Sequence, residues 1–369
     1  MTSGQLEIIA IASLTSAACA LVGVFLVLRR MSLVSDAITH SVLLGIVLAF
    51  FVTQSTTSPL LLVAAALTGV VTVALVELVT RTRLVREDAA IGLVFPVLFS
   101  IGVILVSRYA GSVHLDIDTV LLGELAFAPF DRVHVGGVDL GPAALVTMAV
   151  VLAVDVAALT LFWKELKLTT FDPALALSLG LAPTAVTYGL MSLVSLTAVG
   201  AFNAVGSILT VALMVAPPAA AYLLSDRLWR VTLLAAAIGV GCAVAGYWLA
   251  FVLDASIAGC IAACCGAAFA LAWAFAPGRG ILAGARRRAR QRVDFALAML
   301  AIHLATHEGR PEAEEESRLD RLGAHLRWDE GRIAHVVAAA QRRGLVVEQA
   351  GVLALTERGR RLARQAITF

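Results

Sequence analysis

The chain has 369 residues, of which 60% are hydrophobic and 15% are charged, and its formal net charge is +2 at pH 7. This composition excludes an ordinary soluble domain for most of the chain and is typical of a protein that lies in a lipid bilayer. Cys19 and Cys242 have no evident partners in an exported loop, so no disulfide framework is predicted.

Apolar segments near the length needed to cross hydrocarbon, roughly 20 residues each, recur through the first three quarters of the chain. The segment 37–53 is short enough to be a broken or re-entrant helix, so the predicted fold class is an all-α polytopic membrane protein with eight or nine transmembrane helices. The segments are 7–28, 37–53, 60–80, 89–107, 140–162, 184–200, 205–224, 231–252 and 257–276.

Basic residues in the short loops fall almost entirely on one side of this arrangement, and only Arg108 and Arg132 fall on the other. Because basic loops are retained in the cytoplasm during insertion, the pattern predicts a multi-pass cell-membrane protein with its N-terminus outside and its C-terminus inside. The residues on the cytoplasmic side are Arg29, Arg30, Arg81, Arg83, Arg86, Lys164, Lys167, Arg227, Arg230 and the run 286–288.

Asp36 and His40 lie four residues apart in an otherwise apolar stretch. That spacing places a carboxylate and an imidazole on one face of a helix. Ionisable groups at membrane depth are costly, at least about 2.5 kcal/mol for an Asp, so such a pair indicates a route for a cation. Mixed oxygen and nitrogen ligation suits Mn²⁺, Fe²⁺ and Zn²⁺. The alternative is an intrahelical ion pair that only neutralises both charges.

The connection between the fifth and sixth predicted spans is long enough for a short helix. Asp172 suits the N-cap of this helix, Pro173 its first position and Gly180 its end. On the cytoplasmic side, such a helix is what a permease would offer to a soluble motor. An ordinary amphipathic connector is the alternative.

The chain contains no phosphate-binding loop of the Gly-x4-Gly-Lys-[Ser/Thr] type, which requires a lysine after a glycine. Its only lysines, Lys164 and Lys167, follow Trp163 and Leu166. We therefore predict a transport subunit without enzyme activity, and any ATP must be hydrolysed by a separate subunit.

The composition changes after Pro277. We predict a transmembrane permease domain at 1–278, a basic juxtamembrane linker at 279–292 that lies against anionic lipid headgroups, and a cytoplasmic domain at 293–369. The last domain has the element order of a small α+β winged helix. Helical patterns at 293–307, 317–326 and 328–343 precede a hairpin signal formed by 345–348 and 352–355, and a final helix is predicted at 356–366.

Motifs in residues 10–276 resemble the manganese, zinc and iron permeases of ATP-binding-cassette importers. The match rests on four ordered motifs. They are Arg29-Arg30-Met31-Ser32 with Asp36, His40 and Gly45; an external segment at 113–118 and 121–125; Phe171-Asp172-Pro173 through Leu179-Gly180-Leu181; and Val205-Gly206-Ser207 through Ala216-Pro217-Pro218.

The resemblance implies a type II ABC importer-like fold in which Asp36 and His40 are the pore metal ligands. It also implies that Asp172, Pro173 and Gly180 belong to a coupling helix that docks on the cytoplasmic ATPase. The expected partners are that ATPase, an extracytoplasmic metal-binding protein and a second permease subunit, either an identical copy or a paralogue. No permanently bound cofactor is expected. The transported ion is Mn²⁺ by preference, with Zn²⁺ or Fe²⁺ as alternatives.

The C-terminal domain resembles metal-responsive repressors of the diphtheria-toxin-repressor type, through residues 342–346 and 355–363. A DNA-binding helix would enter the major groove by its N-terminal end, where this chain has Asp329 and Glu330. Their carboxylates repel phosphate, so a regulatory or ATPase-contacting role is favoured over DNA binding.

Two other function classes compete with an ATP-driven importer. A membrane-tethered metal-responsive regulator would need one anchoring helix, whereas this chain offers at least eight. A secondary metal transporter driven by protons would move metal without an ATPase.

Overall fold

The computed structural model describes residues 2–54, 59–109, 125–135, 138–319, 321–349 and 351–367. The chain divides into two compact units, Met1–Gly280 and Ile281–Phe369. Most of the external segment that carries the family resemblance, residues 113–118 and 121–124, lies outside the described residues.

Nine helices in the described part of the first unit are long and apolar enough to cross a membrane. Their order along the chain agrees with the predicted spans. The second is one continuous helix that begins at Ser32 rather than at residue 37, so it includes Asp36 and His40. In chain order the elements are α1 Ser3–Leu28, α2 Ser32–Thr53, α3 Pro59–Arg81, α4 Glu87–Tyr109, β1 Arg132–Val135, β2 Val138–Pro142, α5 Ala143–Leu161, α6 Trp163–Phe171, α7 Pro173–Ser178, α8 Pro183–Val205, α9 Ser207–Leu224, α10 Leu228–Leu253 and α11 Ile257–Phe275.

Helix α1 lies at the centre of the first unit, in contact with α2, α5, α8, α9 and α10. It is buried on several faces because small residues let its neighbours approach closely. At Gly23 a Cβ atom would lie 2.1 Å from the backbone oxygen of Met214 in α9, so only glycine fits this contact. The same helix ends at Leu28, and the chain then turns tightly into α2 at Arg29 and Arg30.

Strands β1 and β2 form an antiparallel hairpin between α4 and α5. The Arg132 guanidinium joins the hairpin to α1, because it donates hydrogen bonds to Asp139 Oδ2 at 2.7 Å and to Glu7 Oε1 at 3.1 Å. A hydrogen bond from the Gly141 N–H, and then the one from Arg132, lower the pKa of the Asp139 carboxyl below its ordinary value. Asp139 therefore stays ionised, and this contact persists, to more acidic pH than for a free aspartate.

The second unit has its own apolar core, which includes Leu297, Leu300, Leu304, Val336 and Leu353. Strands β3 and β4 pair antiparallel, and this two-stranded sheet does not by itself establish a winged helix. Helix α12 begins at Ile281, so most of the predicted linker at 279–292 is helical. The elements are α12 Ile281–His307, α13 Ala313–Glu316, α14 Leu322–Leu326, α15 Glu330–Arg342, β3 Val346–Gln349, β4 Val352–Leu355 and α16 Glu357–Ile367.

Candidate metal pathway and coupling segment

Asp36 and His40 form a pair on one face of α2, as the sequence predicts. His40 Nε2 lies 3.4 Å from Asp36 Oδ1. The side chain of His40 is 32% exposed and that of Asp36 is 42% exposed. Both residues lie in the first half of α2, on its less buried side, whereas Ala37, Ile38 and Thr39 are buried. The pair is therefore held within the helical unit and is still accessible to an ion.

Close packing between α2 and α3 sets the orientation of this pair. At Gly45 a Cβ atom would lie 2.3 Å from Thr68 Oγ1 and 2.6 Å from the Ala64 oxygen, so the two backbones approach as only a glycine permits. One turn earlier, the hydroxyl oxygens of Thr72 and Ser41 lie 2.7 Å apart in the buried interface. Rotation of α2 about its axis would break this close packing and the contact between the two hydroxyls.

Two phenylalanines of α4 surround the His40 imidazole. The Phe95 ring stacks against it with centroids 5.8 Å apart, and the Phe99 ring meets it edge-on at 6.1 Å. They restrict the ring and exclude water from one side of it.

One chain supplies only part of a metal coordination shell at this place. Among the residues that the structure describes, the only group of three or more His, Cys, Asp or Glu side chains close enough to hold an ion lies in the second unit. Transition metals in proteins have four or more ligands. Asp36 and His40 therefore need water or a second subunit to complete a site.

Arg29, in the turn between α1 and α2, contacts the helices on either side of residues 172–180. Its guanidinium donates from Nε to Thr170 Oγ1 at 3.1 Å, from Nη2 to Thr169 Oγ1 at 3.0 Å and from Nη1 to Thr187 Oγ1 at 2.7 Å. Desolvation by burial lowers the pKa of Arg29. The first two threonines lie in α6 and Thr187 lies in α8, so one side chain ties together three elements.

The sequence indicated Arg29 only as part of a motif and as a basic loop residue, and its three hydroxyl partners were not predicted. Such a contact arises from tertiary packing across more than a hundred residues. The nearest sequence signal is the Thr169-Thr170 pair just before the predicted short helix.

Asp172, Pro173 and Gly180 take the local structural positions that the sequence predicts. The Asp172 carboxylate accepts a hydrogen bond from the Leu175 N–H at 2.9 Å, and Pro173 is the first residue of α7. Gly180 follows the helix end with φ of +80°, a conformation that favours glycine. These three residues thus begin and end a six-residue helix.

The surface of this short helix is apolar. The side chains of Leu175, Leu177 and Leu179 are 45%, 66% and 64% exposed, and Phe171 just before them is 60% exposed. Only Ala176 is buried, which fixes α7 to the rest of the unit. We call residues 172–180 the coupling segment.

Asp155, in the middle of the fifth span, is fully buried. Its carboxylate accepts a hydrogen bond from Thr197 Oγ1, at 2.9 Å from Oδ2. The contact joins α5 to α8 and gives the carboxylate a structural partner.

We expect Arg29→Gln to lower metal uptake by the assembled transporter by roughly tenfold, while metal binding to the purified chain stays unchanged. Hydrogen bonds from a charged group contribute about 1.5–3 kcal/mol, and glutamine cannot make all three. Uptake of radioactive metal into vesicles, together with the ATPase rate, measures the effect. The neighbouring Arg30→Gln, at an exposed position, is the control and should stay within about twofold of wild type. Equal losses in both variants would contradict a positioning role for Arg29.

Comparison with known proteins agrees with this arrangement. The ABC 3 transport family matches residues 5–276. The chain is 47% identical over 359 residues to the zinc transport system membrane protein TroD of Treponema pallidum (strain Nichols), covering 97% of this chain and 98% of that protein. It is 47% identical over 275 residues to the manganese transport system membrane protein MntD of Bacillus subtilis (strain 168), covering 74% of this chain and 93% of the relative.

A solved structure, PsaBC from Streptococcus pneumoniae in complex with Fab, shares the fold. The TM-score is 0.63 at 24% identity, and the match covers 76% of this chain and 94% of that chain. The family match covers most of the chain and all nine candidate spans lie almost entirely within it. This chain belongs to the ABC 3 transport family of membrane proteins.

Proposed function

We propose that the chain is the membrane permease of an ATP-binding-cassette importer that carries a divalent transition metal into the cytoplasm. The observation that carries this proposal is the Asp36–His40 pair, one helical turn apart within an apolar helix. Two relatives that are each 47% identical to this chain are named as zinc and manganese transport proteins, which supports a metal cargo.

Asp36 and His40 would replace part of the water around a moving ion. A carboxylate oxygen and an imidazole nitrogen suit Mn²⁺, Zn²⁺ and Fe²⁺, and the usual divalent order favours zinc over manganese in affinity. Two ligands from each of two subunits would provide a four-ligand site on a twofold axis. Such a shared site binds an ion when the subunits close around it and releases it when they separate.

The energy for transport comes from a partner ATPase that docks on the coupling segment. Three observations support this assignment. The segment is a helix whose N-terminus is capped by Asp172, its exposed leucines offer an apolar contact, and Arg29 links the neighbouring helices to the turn before α2. Movement of the ATPase would reach the metal ligands through that link.

The orientation supported by the basic loops places the N-terminus outside and the second unit in the cytoplasm. Exposed arginines of α12, within residues 286–292, would then contact anionic lipid headgroups. An external binding protein would deliver the metal on the opposite side. The winged-helix character of the second unit stays a prediction, and we assign that unit a regulatory or ATPase-contacting role rather than DNA binding.

Reconstitution tests the function directly. Liposomes that contain this chain and its ATPase should accumulate Mn²⁺ or Zn²⁺ only when ATP is present on the ATPase side, and competition between the ions identifies the preferred cargo. A proton-driven transporter would instead move metal with the chain alone and a pH gradient. That result would overturn the proposal.

A further inference from the structure

Three histidines and a glutamate converge in the second unit, far along the chain from the pore pair. His303, His307 and Glu316 each offer a ligand atom within 4.8 Å of the others. The rings of His303 and His307 have centroids 4.9 Å apart, and His325 stacks against His303 at 5.9 Å. These side chains come from the end of α12, from α13 and from α14.

The local fold brings the cluster together. His303 and His307 are four residues apart, so they lie on one face of α12. Glu316 is the last residue of α13, and its backbone oxygen lies 3.1 Å from His303 Nε2. His325 Nδ1 lies 3.1 Å from Glu316 Oε2. The short connection after α12 therefore folds back and directs the Glu316 carboxylate toward His303 and His325.

Two polar atoms of this cluster are buried and make no hydrogen bond. They are His307 Nδ1 and Glu316 Oε2. Glu316 Oε2 also forms ion-pair contacts with His325 Nδ1 at 3.1 Å and with His303 Nε2 at 3.7 Å, so it already faces two imidazole nitrogens. Buried polar groups in folded proteins are nearly always satisfied, so each such atom calls for a partner. Two of them in one cluster of potential ligands indicate a shared partner.

A divalent metal ion is the partner that fits these groups. Imidazole and carboxylate are common zinc ligands, and zinc takes four of them in a tetrahedral arrangement with bonds of about 2.0–2.2 Å. In that geometry the ligand atoms are roughly 3.4 Å apart. The ligand atoms of His303, His307 and Glu316 lie within 4.8 Å of one another, so side-chain rotations would bring them to that distance.

We propose that His303, His307 and Glu316 bind a divalent transition metal of the zinc class, with His325 as the fourth ligand. The bound ion joins α12 to the segment that carries α13 and α14. If the second unit is cytoplasmic, this site responds to metal that has already crossed the membrane. The proposal does not depend on the Asp36–His40 pore site, because none of its residues belongs to the first unit.

The test uses the full-length chain, purified in detergent, freed of metal by chelation and carrying Asp36→Asn and His40→Gln to remove the pore ligands. Zinc binding is measured by equilibrium dialysis, and hydrogen exchange of α13 and α14 is followed with and without zinc. The variants are His303→Gln with His307→Gln, and separately Glu316→Gln. The control is His335→Gln, an exposed histidine of α15 in the same unit.

We expect the double histidine variant to bind one zinc ion fewer per chain, and Glu316→Gln to bind this ion at least roughly tenfold more weakly. Zinc should slow exchange in α13 and α14 of the control but not of the double variant. Unchanged exchange in α15 without zinc shows that the variants remain folded. If exchange in α15 rises in the double histidine variant, that variant is partly unfolded. The zinc affinity of the Glu316→Gln variant then tests the proposal in its place. Equal zinc stoichiometry and affinity in all variants would overturn the proposal. The four side chains would then form a polar cluster that binds no metal.

Discussion

Replacing Asp36 or His40 by alanine is expected to reduce metal uptake by the reconstituted transporter at least about 100-fold. Loss of a residue that merely orients a metal ligand weakens metal affinity by roughly 10–100-fold, so loss of a ligand itself should cost no less. The effect should be largest at low metal concentration. Uptake of Mn²⁺ and Zn²⁺ into liposomes at several concentrations, with basal ATPase activity measured in parallel, separates binding from energy supply.

The competing explanation is an intrahelical ion pair without a role in transport. The chain offers a matched control, because Glu77 and Arg81 form such a pair in α3, with Arg81 Nη2 and Glu77 Oε1 2.6 Å apart. Solvent screens exposed pairs of this spacing and they add little stability, so Glu77→Gln should leave uptake nearly unchanged. If Asp36→Asn behaved like Glu77→Gln, the pore assignment would be wrong.

The second large effect is expected at the coupling segment. Leu177→Asp places a charge on the apolar surface of α7, where the leucine side chain is 66% exposed and free to contact a partner. An anchoring residue at an interface contributes about 2 kcal/mol or more, which is roughly thirtyfold in affinity. Uptake should therefore fall strongly, while metal binding by the purified chain is retained. Co-purification of the ATPase and its stimulated activity measure this loss.

Leu84→Asp is the control for this experiment. Leu84 is 87% exposed in the loop between α3 and α4, which lies on the same side of the membrane in the proposed orientation. It lies outside the coupling segment, so the added charge should leave ATPase binding near wild type. Equal loss of binding in both variants would indicate a general effect of surface charge and not a docking site.

The membrane spans could be predicted from sequence because the bilayer imposes a length and an apolar composition on each helix. The start of α2 was predicted too late, since residues 32–36 include serines and an aspartate that lower the apolar signal. The short helix α7 was predicted from its ends, because Asp172, Pro173 and Gly180 each have a specific local role.

Contacts between distant segments could not be predicted in the same way. The bonds from Arg29 to three threonines depend on how α6 and α8 pack, and the Thr169-Thr170 pair in α6 does not by itself indicate Arg29 as the partner. The cluster around Glu316 was missed for a related reason. The His303–His307 spacing is visible in the sequence, but the turn that returns Glu316 and His325 to it is formed by tertiary packing.

The central claim, that His40 and Asp36 touch the transported ion, is tested most directly by pulsed electron paramagnetic resonance of bound Mn²⁺. The sample is the purified chain without nucleotide, carrying His303→Gln and His307→Gln so that the second unit contributes no signal. We predict a nitrogen coupling to Mn²⁺ that disappears in His40→Gln and persists in Glu77→Gln. A nitrogen coupling that survives His40→Gln, or Mn²⁺ bound without any nitrogen coupling, would contradict the account.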